Sequence, residues 1–182
     1  ILADLQRRGL TRFFGITALG ETPSILKVIE TGRIHSAQVY YNLLNATAGI
    51  GVRSTWTAFD FTGVLSACAQ HSVAAMDIRV FSAGVIATDA RHGREAPLTE
   101  GDSVESEARK ARAMFDVLGA RYGSRAQTAI RFALAEPRFA CIIFGLAELA
   151  HLDEALAAHA AGPLPPDAVA EVLSVYDKGL SL

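Results

Sequence analysis

Four short apolar runs in this chain each end in residues that can hydrogen-bond a ligand or let it approach the backbone. Phe13-Phe14-Gly15-Ile16 ends in Thr17, and Gln38-Val39-Tyr40-Tyr41 ends in Asn42. Arg79-Val80-Phe81 gives way to Ser82-Ala83-Gly84-Val85, and Ile142-Ile143-Phe144 to Gly145. Hydroxyls, amides and glycines in such places suit binding and orienting a molecule more than attacking it. Gln38 stands out, because an amide carried into a buried strand needs hydrogen-bond partners. No spacing of His, Cys and carboxylate residues is that of a metal site, and no Gly-x-Ser-x-Gly nucleophile turn occurs. Of the histidines, His92 sits in a long polar loop and is a substrate-contact candidate. His35, His71 and His159 fall near element ends and read as surface or capping groups, and His151 as an exposed helix residue.

The elements that would position these residues alternate between strands and helices. Residues 12–16, 36–41, 77–81 and 140–144 read as strands, the third running out through residues 79–85 into a glycine turn. Between them, Thr22-Pro23 offers a hydroxyl cap before a proline suited to a first helical turn. Phe61, Val64, Leu65 and Cys68 make one helical stripe behind Asp60 as a cap. Residues 105–118 and 125–134 read as two helices parted by Gly123-Ser124, with Pro137 closing the second. The run Glu105, Glu107, Arg109, Lys110, Arg112 reads as a solvated helix face. A helix carrying Leu149, Leu152 and Leu156 follows Gly145, and Pro165-Pro166-Asp167 opens the last one. Residues 82–103 form a loop too long for a plain connection.

Such alternation predicts a parallel sheet covered by helices, with ligands at the carboxyl ends of the strands. Two arrangements fit four strands: half of an eight-stranded (β/α)8 barrel, or a small doubly wound sheet. The doubly wound nucleotide fold normally carries Gly-x-Gly-x-x-Gly after its first strand, and this chain has none. The barrel is the better fit.

The 182 residues suffice for a single domain, 1–182. A composition of 51% hydrophobic and 20% charged residues suits a buried sheet, and a net charge of -2 argues against a phosphate-tracking nucleic-acid face. Cys68 and Cys141 sit in apolar surroundings and read as buried free thiols. With no apolar run of membrane-spanning length and no signal peptide, a cytoplasmic protein without a membrane partner is expected. Leu2 and Leu5 read as the tail of a helix closing at Gly9, so the chain is expected to be the later part of a longer protein.

The strand ends resemble the second half of the aldo-keto reductase barrel, with closest likeness to bacterial sugar and aldose dehydrogenase-like members. Phe13-Phe14-Gly15-Ile16-Thr17 resembles that family's strand 5, and Ala37-Gln38-Val39-Tyr40-Tyr41-Asn42-Leu43-Leu44 its strand 6, the most specific match. Val80-Phe81-Ser82-Ala83-Gly84 is similar to the strand 7 exit. Ile143-Phe144-Gly145, with Leu152-Asp153-Glu154-Ala155-Leu156 behind it, is similar to strand 8 and its helix. The resemblance implies a (β/α)8 TIM-barrel fold, of which this chain holds strands 5–8. It also implies hydride exchange between an NAD(P)(H) cofactor and a carbonyl or alcohol such as a sugar. Gln38 would bond the nicotinamide carboxamide, with Thr17 where the family usually has serine, and Phe81 would stack on the ring. Ser82 and the backbone of Ala83, Gly84 and Val85 would line the pyrophosphate. Gly145, Glu148 and Glu154 would meet the adenosine end, and Tyr41, Trp56 and His92 are the substrate-facing candidates. Tyr40 and Tyr41 point to opposite faces of a strand, so at most one lines a pocket.

Several positions depart from the family pattern. Ala18 replaces the asparagine after the strand 5 serine, Ala155 replaces the one expected beside Glu154, and Leu146-Ala147-Glu148 lacks the usual serine or lysine for the adenosine phosphate. With a carboxylate in that turn, NAD(H) is slightly favoured. The family's catalytic Asp, Tyr, Lys and His lie on the first half of its barrel, so no residue of this chain inherits those roles. A non-catalytic protein that binds the same cofactor, and a half-barrel that pairs with another copy, remain alternatives to the enzyme.

Overall fold

The computed structural model describes residues 1–51, 56, 58–91, 93, 95 and 103–178. The chain runs α1 (Leu2–Arg7), β1 (Gly15–Ala18), α2 (Thr22–Glu30), β2 (Ser36–Tyr40), α3 (Thr47–Ile50), α4 (Val64–Gln70) and β3 (Ala74–Ile78). It continues through α5 (Val104–Leu118), α6 (Arg125–Leu134), β4 (Phe139–Ile142), α7 (Leu149–Ala161) and α8 (Pro166–Asp177). The four strands make one sheet in the order β1-β2-β3-β4, and every neighbouring pair is parallel. The alternation of strand and helix thus produces the expected parallel α/β arrangement.

Strand register sets the two faces of the sheet. Ala18, Val39, Asp77 and Ile142 stand in one row across the four strands, and Thr17, Gln38, Met76 and Cys141 in the row before it. Side chains alternate along a strand, so adjacent rows point to opposite faces. Ala18, Val39 and Asp77 are wholly buried, which places their face under the helices. Thr17 and Cys141 are exposed and Gln38 and Met76 half-buried, which makes theirs the open face. Gly15 is required where β1 begins, because a Cβ there would sit 2.3 Å from the Ser36 carbonyl oxygen.

Helices cover the buried face with Ile25 and Ile29 from α2, Val64, Leu65 and Cys68 from α4, and Ile130 and Phe132 from α6. Each fully buried side chain of this size contributes roughly 1.5–3 kcal/mol. α8 docks through Val172, Val175 and Tyr176, whose hydroxyl donates to the Leu43 carbonyl at 2.9 Å.

Both outer strands of the sheet carry an unpaired edge among the described residues. Most of the exposed large apolar side chains lie in the segments that flank the two outer strands in sequence. Ile1, Leu2, Leu10 and Phe13 precede β1, and Ile143, Leu146, Leu149, Leu152 and Leu156 follow β4. Elsewhere only Val28 and Val117 are in that class among the described residues. A groove of about 400 Å³ lies between α6, β4 and α7, lined by Ile130, Phe139, Ile142, Phe144 and Leu156 among others.

Several sequence expectations change here. The third strand ends at Ile78, so residues 79–85 are successive turns rather than the run-out of a strand, with positive φ at Arg79, Ser82 and Ala83. Ala74 and Ala75 open that strand, and alanine's low strand preference hides them from a propensity reading. Phe61 is buried but lies outside α4, whose N-cap is Gly63; Asp60 instead accepts from the Thr62 amide at 2.8 Å. Thr22 donates to the Asp60 carbonyl rather than capping its own helix. Cys68 is buried, and burial pushes its thiol up to about 11, whereas Cys141 is exposed. Leu149, Leu152 and Leu156 are exposed, because α7 stands at the edge of the sheet.

Candidate functional site

The candidate site lies where the small and polar residues gather, along the open face and the carboxyl ends of the strands. Thr17 and Gln38 are direct cross-strand partners, and the Thr17 hydroxyl donates to Gln38 Oε1 at 3.0 Å. That bond holds one end of the amide in place. The Gln38 –NH2 has no acceptor among the described residues and remains available on a half-buried face.

Beyond Ile78 the chain turns through a segment held by side chains from three other places. Asn42, just past β2, donates from Nδ2 to the Arg79 carbonyl at 2.9 Å. Ser82 donates its hydroxyl to Glu107 Oε2 on α5 at 2.7 Å, and both residues are 5% exposed. Arg125, at the start of α6, donates to the Ile86 and Val85 carbonyls at 2.8 and 3.0 Å. Its guanidinium lies over the Phe115 ring and pairs with Asp89 at 3.1 Å. Arg125 and then Arg112 hold the Asp89 carboxyl below the usual carboxylate range. Tyr40 abuts this cluster; burial raises its hydroxyl pKa, while Asn42 and Ser82 pull it the other way.

The predicted cofactor residues fall into two neighbourhoods. Phe81 is half-buried within the turns after β3 and meets Phe144 edge-on at 5.4 Å. Gly84 has φ 96°, and its N–H donates to the Phe81 carbonyl at 2.9 Å. The Val85 N–H donates to the Ser82 carbonyl at 3.2 Å, and the Val85 side chain is buried. Ala83 is exposed, and its N–H meets no acceptor among the described residues. On the far side of β4, Gly145 and Glu148 are exposed, Glu148 standing at the N-cap of α7 without a side-chain cap bond. Glu154 accepts from Ser124 and, at 3.4 Å, from Gln127, the two residues that form the capping box of α6. Its carboxylate thus ties α7 to α6.

Of the substrate-facing candidates, Tyr41 is 3% exposed and stacked on Phe132 with ring centroids 5.2 Å apart. It is the tyrosine that packs under the helices, and a substrate contact is not open to it there. Trp56 is half-buried, donating to the Phe59 carbonyl at 3.0 Å and meeting Tyr176 edge-on. His92 lies outside the described residues.

Two acidic residues escaped the sequence reading. Glu107 belongs to the buried stripe of α5 with Ala111, Met114 and Leu118, not to its solvated face. The i, i+4, i+7, i+11 spacing carried that signal. Asp77 is wholly buried beneath the sheet, and only an acid among apolar neighbours marked it. No group of three or more potential metal ligands occurs among the described residues. No helix among them is long and apolar enough to cross a membrane.

In parallel α/β sheets, of barrel and doubly wound kinds alike, polar and small residues at the carboxyl ends of the strands are where ligands are held. The sequence model of the Aldo/keto reductase family matches residues 1–177, and the chain belongs to that family. No curated protein sequence matches the chain. Among solved structures, it is similar to the aldo-keto reductase AKR11C1 from Bacillus halodurans, with TM-score 0.70 and 14% identity over 95% of this chain and 53% of that one. It is also similar to the glycerol dehydrogenase AKR11B4 from Gluconobacter oxydans, with TM-score 0.64 and 14% identity over 98% of this chain and 53% of that one. The chain therefore spans about half the length of the solved structures it matches.

Proposed function

We propose that these residues are the cofactor-bearing half of an NAD(P)(H)-dependent oxidoreductase, exchanging hydride with a carbonyl or alcohol such as an aldose or small aldehyde. The observation that carries this reading is the Thr17–Gln38 pair. A nicotinamide carboxamide needs a donor and an acceptor at fixed positions, and a hydrogen-bonded hydroxyl–amide pair on an open sheet face supplies both. The family supports the reaction class. When bound, the cofactor would supply the hydride, and Thr17 and Gln38 would orient its ring. Phe81 with Phe144 would give an apolar platform beside it, and the turn from Ser82 to Val85 would meet the diphosphate. Gly145 and Glu148 would face the adenosine end, with Glu154 setting the α7 position behind them. The carbonyl-polarising groups would come from the other half of the barrel, and the protein would act in the cytoplasm.

A non-catalytic cofactor binder is the second reading, favoured by Ala18, a fully buried methyl where the family has an asparagine. Trp56, the single tryptophan of these 182 residues, provides a fluorescence signal for the test. NADH and NADPH are titrated into the full-length protein and into Gln38→Ala. Binding that weakens about tenfold in the variant, as loss of a half-buried amide contact gives, fits the proposal; unchanged binding removes Gln38 from the site. Turnover of an aldehyde by the wild type then separates the enzyme from the binder.

A further inference from the structure

The turn after β3 adopts a conformation its own residues disfavour. Ser82 has φ 43° and Ala83 φ 55°, a left-handed region that a Cβ makes costly and that glycine would enter freely. Such conformations persist where the surroundings over-determine them, and they gather at ligand clamps. Here the surroundings are Asn42 on the Arg79 carbonyl, Arg125 on the Val85 and Ile86 carbonyls, and Glu107 on the Ser82 hydroxyl. Glu107 is the most telling of the three. It holds a position on the core stripe of α5 where an apolar side chain would pack without desolvating a charge. A carboxyl group there needs hydrogen bonds, and the Ser82 hydroxyl gives it one at 2.7 Å in a buried setting.

We propose that Glu107 is a positioning residue of the diphosphate subsite. By accepting from Ser82 Oγ it locks the left-handed turn, so that the exposed Ala83 N–H is presented at the strand ends to an anionic group. This rests on the cofactor reading above. Ser82 acts on the ligand through the shape of its backbone, since its hydroxyl is spent on Glu107. A backbone donor held in place before the ligand arrives loses little freedom on binding, which is what a preorganised subsite gains.

The test compares Glu107→Gln, Glu107→Leu and Ser82→Ala in the full-length protein. Two readouts are taken: affinity for NADH and for adenosine, and hydrogen exchange at the amides of residues 82–86. Glu107→Leu is expected to weaken NADH binding about tenfold and to speed exchange in the turn, while adenosine, which lacks phosphate, binds as before. Glu107→Gln keeps an acceptor for Ser82 and is expected to recover NADH affinity to within about threefold of wild type. If Glu107→Leu does not fold, Ser82→Ala carries the test, with the same loss expected. The proposal is overturned if either variant binds NADH like wild type, if adenosine affinity falls in parallel, or if Gln and Leu are equally damaging. Wild-type protein that binds no dinucleotide overturns the cofactor reading instead, and the exchange data then decide separately whether Glu107 holds the turn.

Discussion

Asp77 stands directly beside Val39 in the β2–β3 pair, on the face that the helices bury, and both residues are fully inaccessible to solvent. Neither carboxyl oxygen of Asp77 finds a hydrogen-bond partner among the described residues. Burial pushes its pKa up to about 9. Asp77 is therefore protonated and neutral at pH 7 in the folded protein. The unfolded chain would hold that proton only below the ordinary carboxyl value of about 3.9.

The sign of the pH dependence follows from that difference. The folded state binds the proton more tightly, so this contribution to stability is fully present below the unfolded value and is lost as pH rises toward 9. Urea denaturation between pH 5 and pH 9 is expected to show a falling midpoint for the wild type. Asp77→Asn removes the titrating group, so it should flatten the profile and leave the variant more stable relative to wild type at pH 8 than at pH 5. A variant whose midpoint falls as steeply as that of the wild type would show that Asp77 is not the group responsible.

Gly49 should not tolerate a methyl group. An added Cβ would lie 2.8 Å from Glu136 Oε2, 3.1 Å from Tyr41 and 3.2 Å from Arg138. That carboxylate cannot move aside freely, because Arg138 holds both its oxygens at 2.6 and 2.7 Å and also donates to the Gly49 carbonyl at 2.8 Å. Gly49→Ala is expected to cost roughly 1–3 kcal/mol by overpacking. Arg138→Met should cost about 2 kcal/mol, less than for a fully buried pair because the arginine is part exposed. Thermal melts of both variants check this, and a neutral Gly49→Ala would mean that the Glu136–Arg138 pair yields.

Residues 1–182 expressed alone should self-associate. Open parallel edges on β1 and β4, flanked by exposed leucines, are a template for pairing with other chains. Leu149→Glu with Leu156→Glu places charge beside the β4 edge and should shift the species seen in sedimentation toward the monomer. Carbonyl reduction by this chain alone is expected to stay at background. A monomeric wild-type chain that turns over substrate with a nicotinamide would refute both expectations.

Glu148 should set cofactor preference. It stands exposed at the start of α7 with no cap bond to make, so its carboxylate can accept from a ribose diol and would repel a 2′-phosphate. The native protein is expected to bind NAD(H) at least as well as NADP(H). Glu148→Lys should improve NADP(H) affinity about tenfold while leaving NAD(H) within about threefold, the scale of one charge-assisted contact. Parallel titrations decide it, and a native preference for NADP(H) that the substitution leaves untouched would move the adenosine site elsewhere.

The sequence by itself determined the alternation of strands with their longer helices, the parallel sheet and the family. Those depend on local signals: apolar runs of strand length, helical stripes, Pro23, Pro137 and Pro166, and the stretch around Gln38. It also determined that Thr17 and Gln38 stand on adjacent strands, since consecutive strands of a βαβ unit pair. Tertiary structure alone decided which side of a local pattern each residue serves. Register between β2 and β3 sent Asp77 under the helices with Val39, and kept Gln38 and Met76 on the open face. Packing of α5 against the turn after β3 brought Glu107 to Ser82 across 25 positions. The leucines of α7 show the same limit from the other side. A helical stripe says which residues seek cover, and whether they find it depends on the neighbour that the rest of the fold supplies.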